Sequence, residues 1–400
     1  MKNYLTNRRP STGRFFYFWL QATAILGIFL SLSTCQLLKP KPTCDFQSVK
    51  FIADFPGARL NACDKQFDNH FLLSITPENL PINDSPWYAF KIISDTPQTI
   101  SITVKFIDGL PRYRPKQSRD QKNWQLIRYQ KNESTINFDL KIEPGSTWVA
   151  GQELLLPSDY ENWLENKTKA QNNNTVILGK SVQGHDITAL DISSNNKDTI
   201  VILGRQHPPE VTGALALFPF VDRLLLDDEI ARDFRERFRI IVIPLVNPDG
   251  VIAGNWRHNA NGIDTNRDWG VFSQAETRQI ANYLKLLHEA GQQFYLGLDF
   301  HSTGRNYFYT QQDEDLLCPQ QFTADWLKNI SEAIPDFNFR RSSRSSDGNP
   351  TFKQWFNETY QVPSISYEMS DQIDRDQLVE VAEIAAESMM EELLQSQCPL

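Results

Sequence analysis

Histidine is scarce in this 400-residue sequence, six in all, and two of the six stand where apolar runs end. Ile202-Leu203-Gly204-Arg205-Gln206-His207-Pro208-Pro209-Glu210 runs off a strand into a helix, the prolines suiting the first helical turn. His207 and Glu210, three apart on one turn, can converge on a single ion. Leu298-Asp299-Phe300-His301-Ser302 sets His301 at the end of a second apolar strand. Two imidazoles and one carboxylate leave a fourth coordination position for water, the arrangement of a catalytic rather than a structural zinc. Between these segments lie Gly254-Asn255-Trp256-Arg257 and Gly262-Ile263-Asp264-Thr265-Asn266-Arg267-Asp268-Trp269. Arginines and an asparagine in a Gly/Asn-rich loop suit planar, bidentate capture of a carboxylate. Pro363-Ser364-Ile365-Ser366-Tyr367-Glu368-Met369 ends an apolar strand on Glu368, where scarce water suits a general base.

These residues need elements to hold them. Strands are predicted at Thr199–Leu203, Arg239–Leu245, Tyr295–Phe300, Asn306–Thr310 and Ser364–Tyr367. Helices are predicted at Val211–Leu226, Ala275–Glu289, Gln320–Ser331 and Asp376–Leu394, the second opened by a capping box, Ser273-Gln274-Ala275-Glu276. The alternation predicts an α/β domain over 158–396, a mixed central sheet flanked by helices, with its site where strands end and helices begin. Asn166 to Thr175 is polar and reads as a surface loop. Residues 44–157 hold short alternating runs without an amphipathic helix, predicting a small antiparallel β-sandwich. Within it, Trp87–Ile93 and Ile100–Phe106 around Ser94-Asp95-Thr96-Pro97 predict a hairpin.

The order H-x-x-E, N-P-D-G-V, G-N-x-R, G-x-D-x-N-R-x-W, D-x-H-S and a strand-end Glu resembles the zinc metallocarboxypeptidases of the carboxypeptidase A superfamily. It is most similar to their cytosolic-carboxypeptidase-like branch and its bacterial relatives, over roughly residues 44–395. Those proteins also carry a β-sandwich ahead of the catalytic domain, and Trp87-Tyr88-Ala89-Phe90 resembles its W-[YF]-x-F strand. The resemblance implies one zinc held by His207, Glu210 and His301, with Glu368 as the base that activates water. It implies that Arg257 polarises the scissile carbonyl, and that Asn266 and Arg267 hold the free C-terminal carboxylate of a peptide substrate. The branch usually reads H-P-G-E; here Pro209 stiffens the turn and spares both ligands. Digestive relatives close a tyrosine over substrate some twenty residues before the base, but the window around Ser345 and Ser346 has none, leaving Tyr360 nearest. Spacing from Glu368 points near Lys353 for the specificity residue, with Arg341 and Arg344 at hand; a basic pocket would favour acidic C-terminal residues, and solvated loop charges are the alternative. A murein-peptide amidase and a zinc deacylase of N-acyl amino acids are the competing enzymes, and a degenerate binding module is a third class. The sandwich and the complete arginine block count against the deacylase, and the complete ligand set counts against the binding module.

At the N-terminus, Lys2, Arg8, Arg9 and Arg14 precede an uncharged run from Phe15 to Leu38. Residues 1–38 read as a signal or membrane anchor, since about 20 apolar residues span a bilayer. Leu32-Ser33-Thr34-Cys35 resembles a bacterial lipobox, so the expectation is an exported chain tethered through this segment or through a lipidated Cys35. An even four cysteines remain in the exported part, and the simplest pairing is Cys44–Cys63 and Cys318–Cys398. The 49 acidic against 40 basic side chains, a net charge of −9, argue against nucleic acid as the main partner.

Overall fold

Apolar side chains alternate between two faces along the central strands, and each face acquires its own helices. Ile200, Ile202, Ile240 and Val242 point into one core, and Val201, Leu203, Ile241 and Ile243 into another. Strands apolar on both faces demand a sheet covered twice. Val211–Leu224, Phe322–Ala333 and Arg375–Gln395 cover the first face; Ala275–Glu289 and Phe352–Tyr360 cover the second. The eight-stranded mixed sheet runs Asn174–Lys180, Asp186–Ile192, Phe238–Ile243, Asp198–Gly204, Gln293–Thr303, Ser364–Ser370, Tyr307–Tyr309, Arg340–Ser342. This computed structural model describes residues 43–171, 173–193, 198–311, 317–343, 348–396 and 398. The Phe15–Leu38 run, Cys35, Arg344, Ser345 and Ser346 lie outside them. Among the described residues no helix is long and apolar enough to cross a membrane.

Ahead of this layer, a six-stranded and a five-stranded sheet face each other across a core that includes Phe51, Phe71, Phe90, Val104 and Phe138. The pairing is antiparallel throughout except between His70–Ile75 and Gln98–Phe106. The expected hairpin does not form. Ala89–Ser94 pairs with Val49–Ile52 and Gly145–Ala150 in one sheet, whereas Gln98–Phe106 lies between His70–Ile75 and Thr135–Ile142 in the other. Turn residues between two alternating runs signal a reversal but not its partner. Sending the strands to opposite sheets lets their apolar faces cover each other.

Two further expectations need correction. Asn166 to Thr175 is not a loop, because helix Pro157–Gln171 runs into it and strand Asn174–Lys180 follows. Buried Tyr160 and Leu164 anchor that helix, and Lys167 pairs with Asp222 at 2.7 Å, so packing outweighs a polar composition. The capping box is also absent: Gln274 is the N-cap of Ala275–Glu289, and the Glu276 carboxylate accepts from Val182 N and Asn259 Nδ2. Asp268 does the capping, accepting from Ser273 N at 3.0 Å and Gln274 N at 2.9 Å. Helices Glu229–Arg237 and Phe352–Tyr360 were not predicted; the first buries only Ala231 and Phe234.

Both disulfides form, Cys44–Cys63 and Cys318–Cys398. From Thr43 onward the described residues pack as one compact unit. Trp256 and Val211, from the catalytic part, sit in the apolar core of the sandwich, and the Trp256 indole donates to Trp87 O at 3.1 Å. Position 157 therefore divides sequence patterns rather than packing.

Helix and sheet approach closely at Gly213, in the first turn of Val211–Leu224. A Cβ there would lie 2.6 Å from the backbone carbonyl carbon of His301. Gly213→Ala is expected to cost about 1–3 kcal/mol as backbone is pushed apart, and to displace His301. Differential scanning calorimetry and zinc stoichiometry check this: both the melting temperature and the metal content should fall.

Candidate zinc centre and active site

Three parallel strands bring the site together. In their register Gly204 pairs with Phe300, and His301 pairs with Glu368. Opposed residues on parallel strands point to the same face, so the His301 and Glu368 side chains emerge side by side. His207 lies three residues past Gly204, on a turn entered through Arg205 at φ 54°. The Arg205 guanidinium holds that turn by donating from Nε to Pro208 O at 2.8 Å and from Nη1 to the Tyr160 hydroxyl at 2.9 Å. Glu210 stands at the N-cap position of the helix that follows without a side-chain capping bond, and Ser302 Oγ accepts the Gly213 N–H at 2.8 Å. The Ser302 N–H in turn donates to Glu210 Oε2 at 3.2 Å.

His207, Glu210 and His301 are all buried and meet at one point. His207 Nδ1 lies 3.0 Å from Glu210 Oε1, and His301 Nδ1 lies 2.8 Å from Glu210 Oε2. One ligand atom from each residue falls within 4.8 Å of the others. The far nitrogens are fixed by carboxylates: His207 Nε2 bonds Asp264 Oδ1 at 3.0 Å, and His301 Nε2 bonds Asp299 Oδ2 at 2.7 Å. Carboxylates accept only, so each Nε2 gives its hydrogen to Asp264 or Asp299, and at each Nδ1 either a hydrogen or a bound cation must mediate the approach to Glu210. Two imidazole nitrogens and a carboxylate converging in a buried site make a seat for a cation, which would replace the hydrogens on Nδ1. The donor set is the nitrogen–nitrogen–oxygen type that suits zinc.

A cavity of about 510 Å³ opens on this trio. Arg257, Asn266, Arg267 and Glu368 all line it, so every sequence-predicted site residue shares one space. Arg257 donates from Nε to Asp264 Oδ2 at 2.7 Å, which leaves its two terminal nitrogens for a ligand. His301 Nε2 spends its hydrogen on Asp299, so the Asn266 amide nitrogen 3.0 Å away finds no acceptor there and keeps its N–H groups for a ligand. Burial pushes the Glu368 carboxyl up to about 7, and its Oε2 has no hydrogen-bond partner among the described residues.

Other positions resolve as follows. Lys353 lines the cavity, is 6% exposed, and donates to Thr310 O at 2.7 Å; burial pulls its ammonium down to about 8. Arg341 Nε approaches Thr310 Oγ1 at 3.3 Å. Tyr360 is not at the site, since it packs among Phe294, Phe356 and His288 in the core behind the sheet; Tyr309 is the tyrosine that lines the cavity. Trp256 and Trp269 are fully buried packing residues. Asp249 does not shape its own turn, where Asn247 is the cap; its carboxylate accepts from Ser181 Oγ, Gln183 N and His185 Nδ1. Sequence reasoning missed Asp264, although it stood inside a quoted motif. It also missed Gln206, which bridges Asp299 at 2.7 Å and Trp269 at 2.9 Å. Arg112 was missed as well, and it reaches the cavity wall from the sandwich. It donates to both oxygens of Asp371, at 2.8 and 3.1 Å, and to Ser302 O at 2.7 Å.

A sequence profile described as zinc carboxypeptidase matches residues 160–389. The chain belongs to this family. Among zinc carboxypeptidase relatives, it is 28% identical to mouse cytosolic carboxypeptidase 6 over 186 residues, 42% of this chain and 34% of that protein. The match therefore spans about a third of the mouse protein's length. It is also 24% identical over 296 residues to an uncharacterized protein of Zymomonas mobilis, covering 72% of this chain and 71% of that one. The fold matches a metallo-carboxypeptidase from Burkholderia cenocepacia, with a TM-score of 0.71 at 19% identity over 87% of this chain and 98% of that one. A Pseudomonas aeruginosa metallo-carboxypeptidase, solved with (2-guanidinoethylmercapto)succinic acid, matches with a TM-score of 0.69 at 18% identity, over 86% and 99% of the two chains. A zinc carboxypeptidase requires a catalytic zinc, and the His207–Glu210–His301 trio has the chemistry to bind it.

Removing the carboxylate that orients one imidazole should weaken the metal without unfolding the chain. Asp264→Ala is expected to lower zinc affinity by about 10–100-fold while the far-ultraviolet circular dichroism spectrum stays unchanged. Chelator competition measures this, and unchanged affinity would remove Asp264 from the metal's support.

Proposed function

We propose that this chain is a zinc-dependent carboxypeptidase that hydrolyses the C-terminal peptide bond of peptides. The observation that carries this reading is that one cavity holds an ion-binding trio, a buried carboxylate and three arginines, Arg112, Arg257 and Arg267. Zinc held by His207, Glu210 and His301 supplies Lewis acidity and an acidified water. Glu368, desolvated and without a partner on Oε2 among the described residues, takes the proton from the attacking water and passes it to the leaving amine. Arg257, its Nε locked by Asp264, turns its remaining N–H groups to the carbonyl oxygen as negative charge develops. Asn266 and Arg267 grip the terminal carboxylate, so that only the last peptide bond reaches the reacting groups. That restriction makes the enzyme an exopeptidase. Lys353 supplies a buried cation to the cavity wall and supports a preference for acidic final residues.

We also propose that the chain works outside the cytoplasm, tethered through its N-terminal segment or a lipidated Cys35. The two disulfides support an oxidising compartment.

The deciding experiment is a panel of peptides differing in the final residue, with amidated peptides, murein peptides and N-acyl amino acids beside them. Glu368→Gln is expected to lose about 10²–10⁴-fold in kcat while keeping one zinc per chain. Release of single residues only from free carboxyl ends, fastest for Glu or Asp, supports the reading. Turnover confined to N-acyl amino acids or murein peptides would replace it.

The pH profile offers a second check. Glu368 acts ionised, so kcat/KM falls as pH drops through its pKa. Burial, with Glu210 adding to it and His301, Arg112 and His207 opposing it, sets that near 7, and a neighbouring dication pulls it down. An acid limb at or below 7, absent in Glu368→Gln, is the expected result.

A further inference from the structure

Arg257 is held from two sides, and one side belongs to the sandwich. Its guanidinium Nε is fixed by Asp264. The backbone beneath it is fixed by Glu78, which follows sandwich strand His70–Ile75. The Glu78 carboxylate accepts three successive backbone N–H groups: Trp256 at 2.7 Å, Arg257 at 2.9 Å and His258 at 2.7 Å. Its side chain is 9% exposed, and Arg59 Nη2 approaches it at 3.9 Å. Neighbouring bonds stitch the same two segments together. Asn79 Oδ1 bonds His258 Nδ1 at 2.8 Å, and Asn79 Nδ2 donates to Gly262 O at 3.1 Å.

Three convergent N–H groups form a concavity that accepts an anion, and bonds to a carboxylate are stronger than those to a neutral acceptor. A largely enclosed carboxylate that accepts three N–H groups, with Arg59 as a nearby countercharge, holds one conformation of the loop. We infer that Glu78 is a positioning residue for catalysis: by pinning the backbone of Trp256 to His258, it sets where Arg257 meets the developing oxyanion. The sandwich is then part of the catalytic apparatus and not an appended module. This inference rests on the role proposed for Arg257.

Glu78→Gln keeps the shape of the side chain but presents amide hydrogens to the backbone donors. With the full-length zinc-loaded protein, kcat is expected to fall about 10²-fold, the scale of a small misplacement of a reacting group. KM and zinc stoichiometry should stay near wild type, and Glu78→Asp should recover part of the loss. In an Arg257→Ala background, Glu78→Gln should cause no further loss in kcat. Unchanged kcat, or an equal loss in both backgrounds, overturns the inference. An arm independent of turnover uses protein labelled with ¹⁵N-arginine. The Arg257 Nε–H resonance should shift and exchange faster with water in Glu78→Gln, and an unmoved resonance overturns the inference. If Glu78→Gln does not fold, Glu78→Asp carries both arms, with a smaller loss in kcat expected. If the wild type cleaves no peptide, the carboxypeptidase reading fails and the resonance alone decides the role of Glu78.

Discussion

The parallel register of strands Asp198–Gly204, Gln293–Thr303 and Ser364–Ser370 is the constraint on which the rest depends. It sets His301 opposite Glu368 and ends the first strand three residues short of His207. Because the side-chain period of a strand is two, a slip of one residue would turn Glu368 to the opposite face of the sheet. The apolar residues on both faces prevent that slip, since each is matched to its own set of helices. Core packing and site geometry are thus enforced by the same alternation. The close approach of Gly213 to His301 then sets the third ligand, Glu210, at the right height above the sheet.

Charge is arranged around this frame in pairs that reach inward. Asp264 serves two masters, the His207 imidazole and the Arg257 guanidinium, so the metal ligand and the carbonyl-facing cation are coupled through one carboxylate. Burial pushes the Asp264 carboxyl up, yet His207, Arg257 and Arg267 outweigh it and hold it well below its ordinary value. The sandwich contributes as much as the sheet does. Arg112 ties Ser302, next to the ligand His301, to Asp371, which follows the strand of Glu368. Lys116 and Arg375 share Glu153 near the joint, at 2.7 and 2.9 Å.

How much of this was legible in the sequence depends on range. Strand ends, helix starts and the order of polar motifs are local, and they led to His207, Glu210, His301, Glu368 and the arginine block. The central helices were legible because helical periodicity survives in Val211–Leu224 and Arg375–Gln395. Pro157–Gln171 was not, because its apolar stripe is narrow and its stability comes from partners elsewhere in the chain, such as Asp222. The false hairpin has the same origin, since alternation shows that a strand has an inside face but not which sheet provides the other wall. Glu78 and Arg112 were invisible for a sharper reason. An isolated charge in a turn-rich region looks solvated until the fold brings residues nearly two hundred positions apart into contact.

Trp256 in the sandwich core has a consequence for inheritance. Its indole is fully buried in a cluster drawn mostly from the other half of the chain, yet it stands next to Arg257. A gene fragment beginning at residue 158 would encode a large aromatic surface with nothing to cover it. The halves therefore cannot be shuffled independently among relatives: a borrowed sandwich must arrive with a socket already shaped for this tryptophan. The two halves form one physical unit, although the family profile begins only at residue 160.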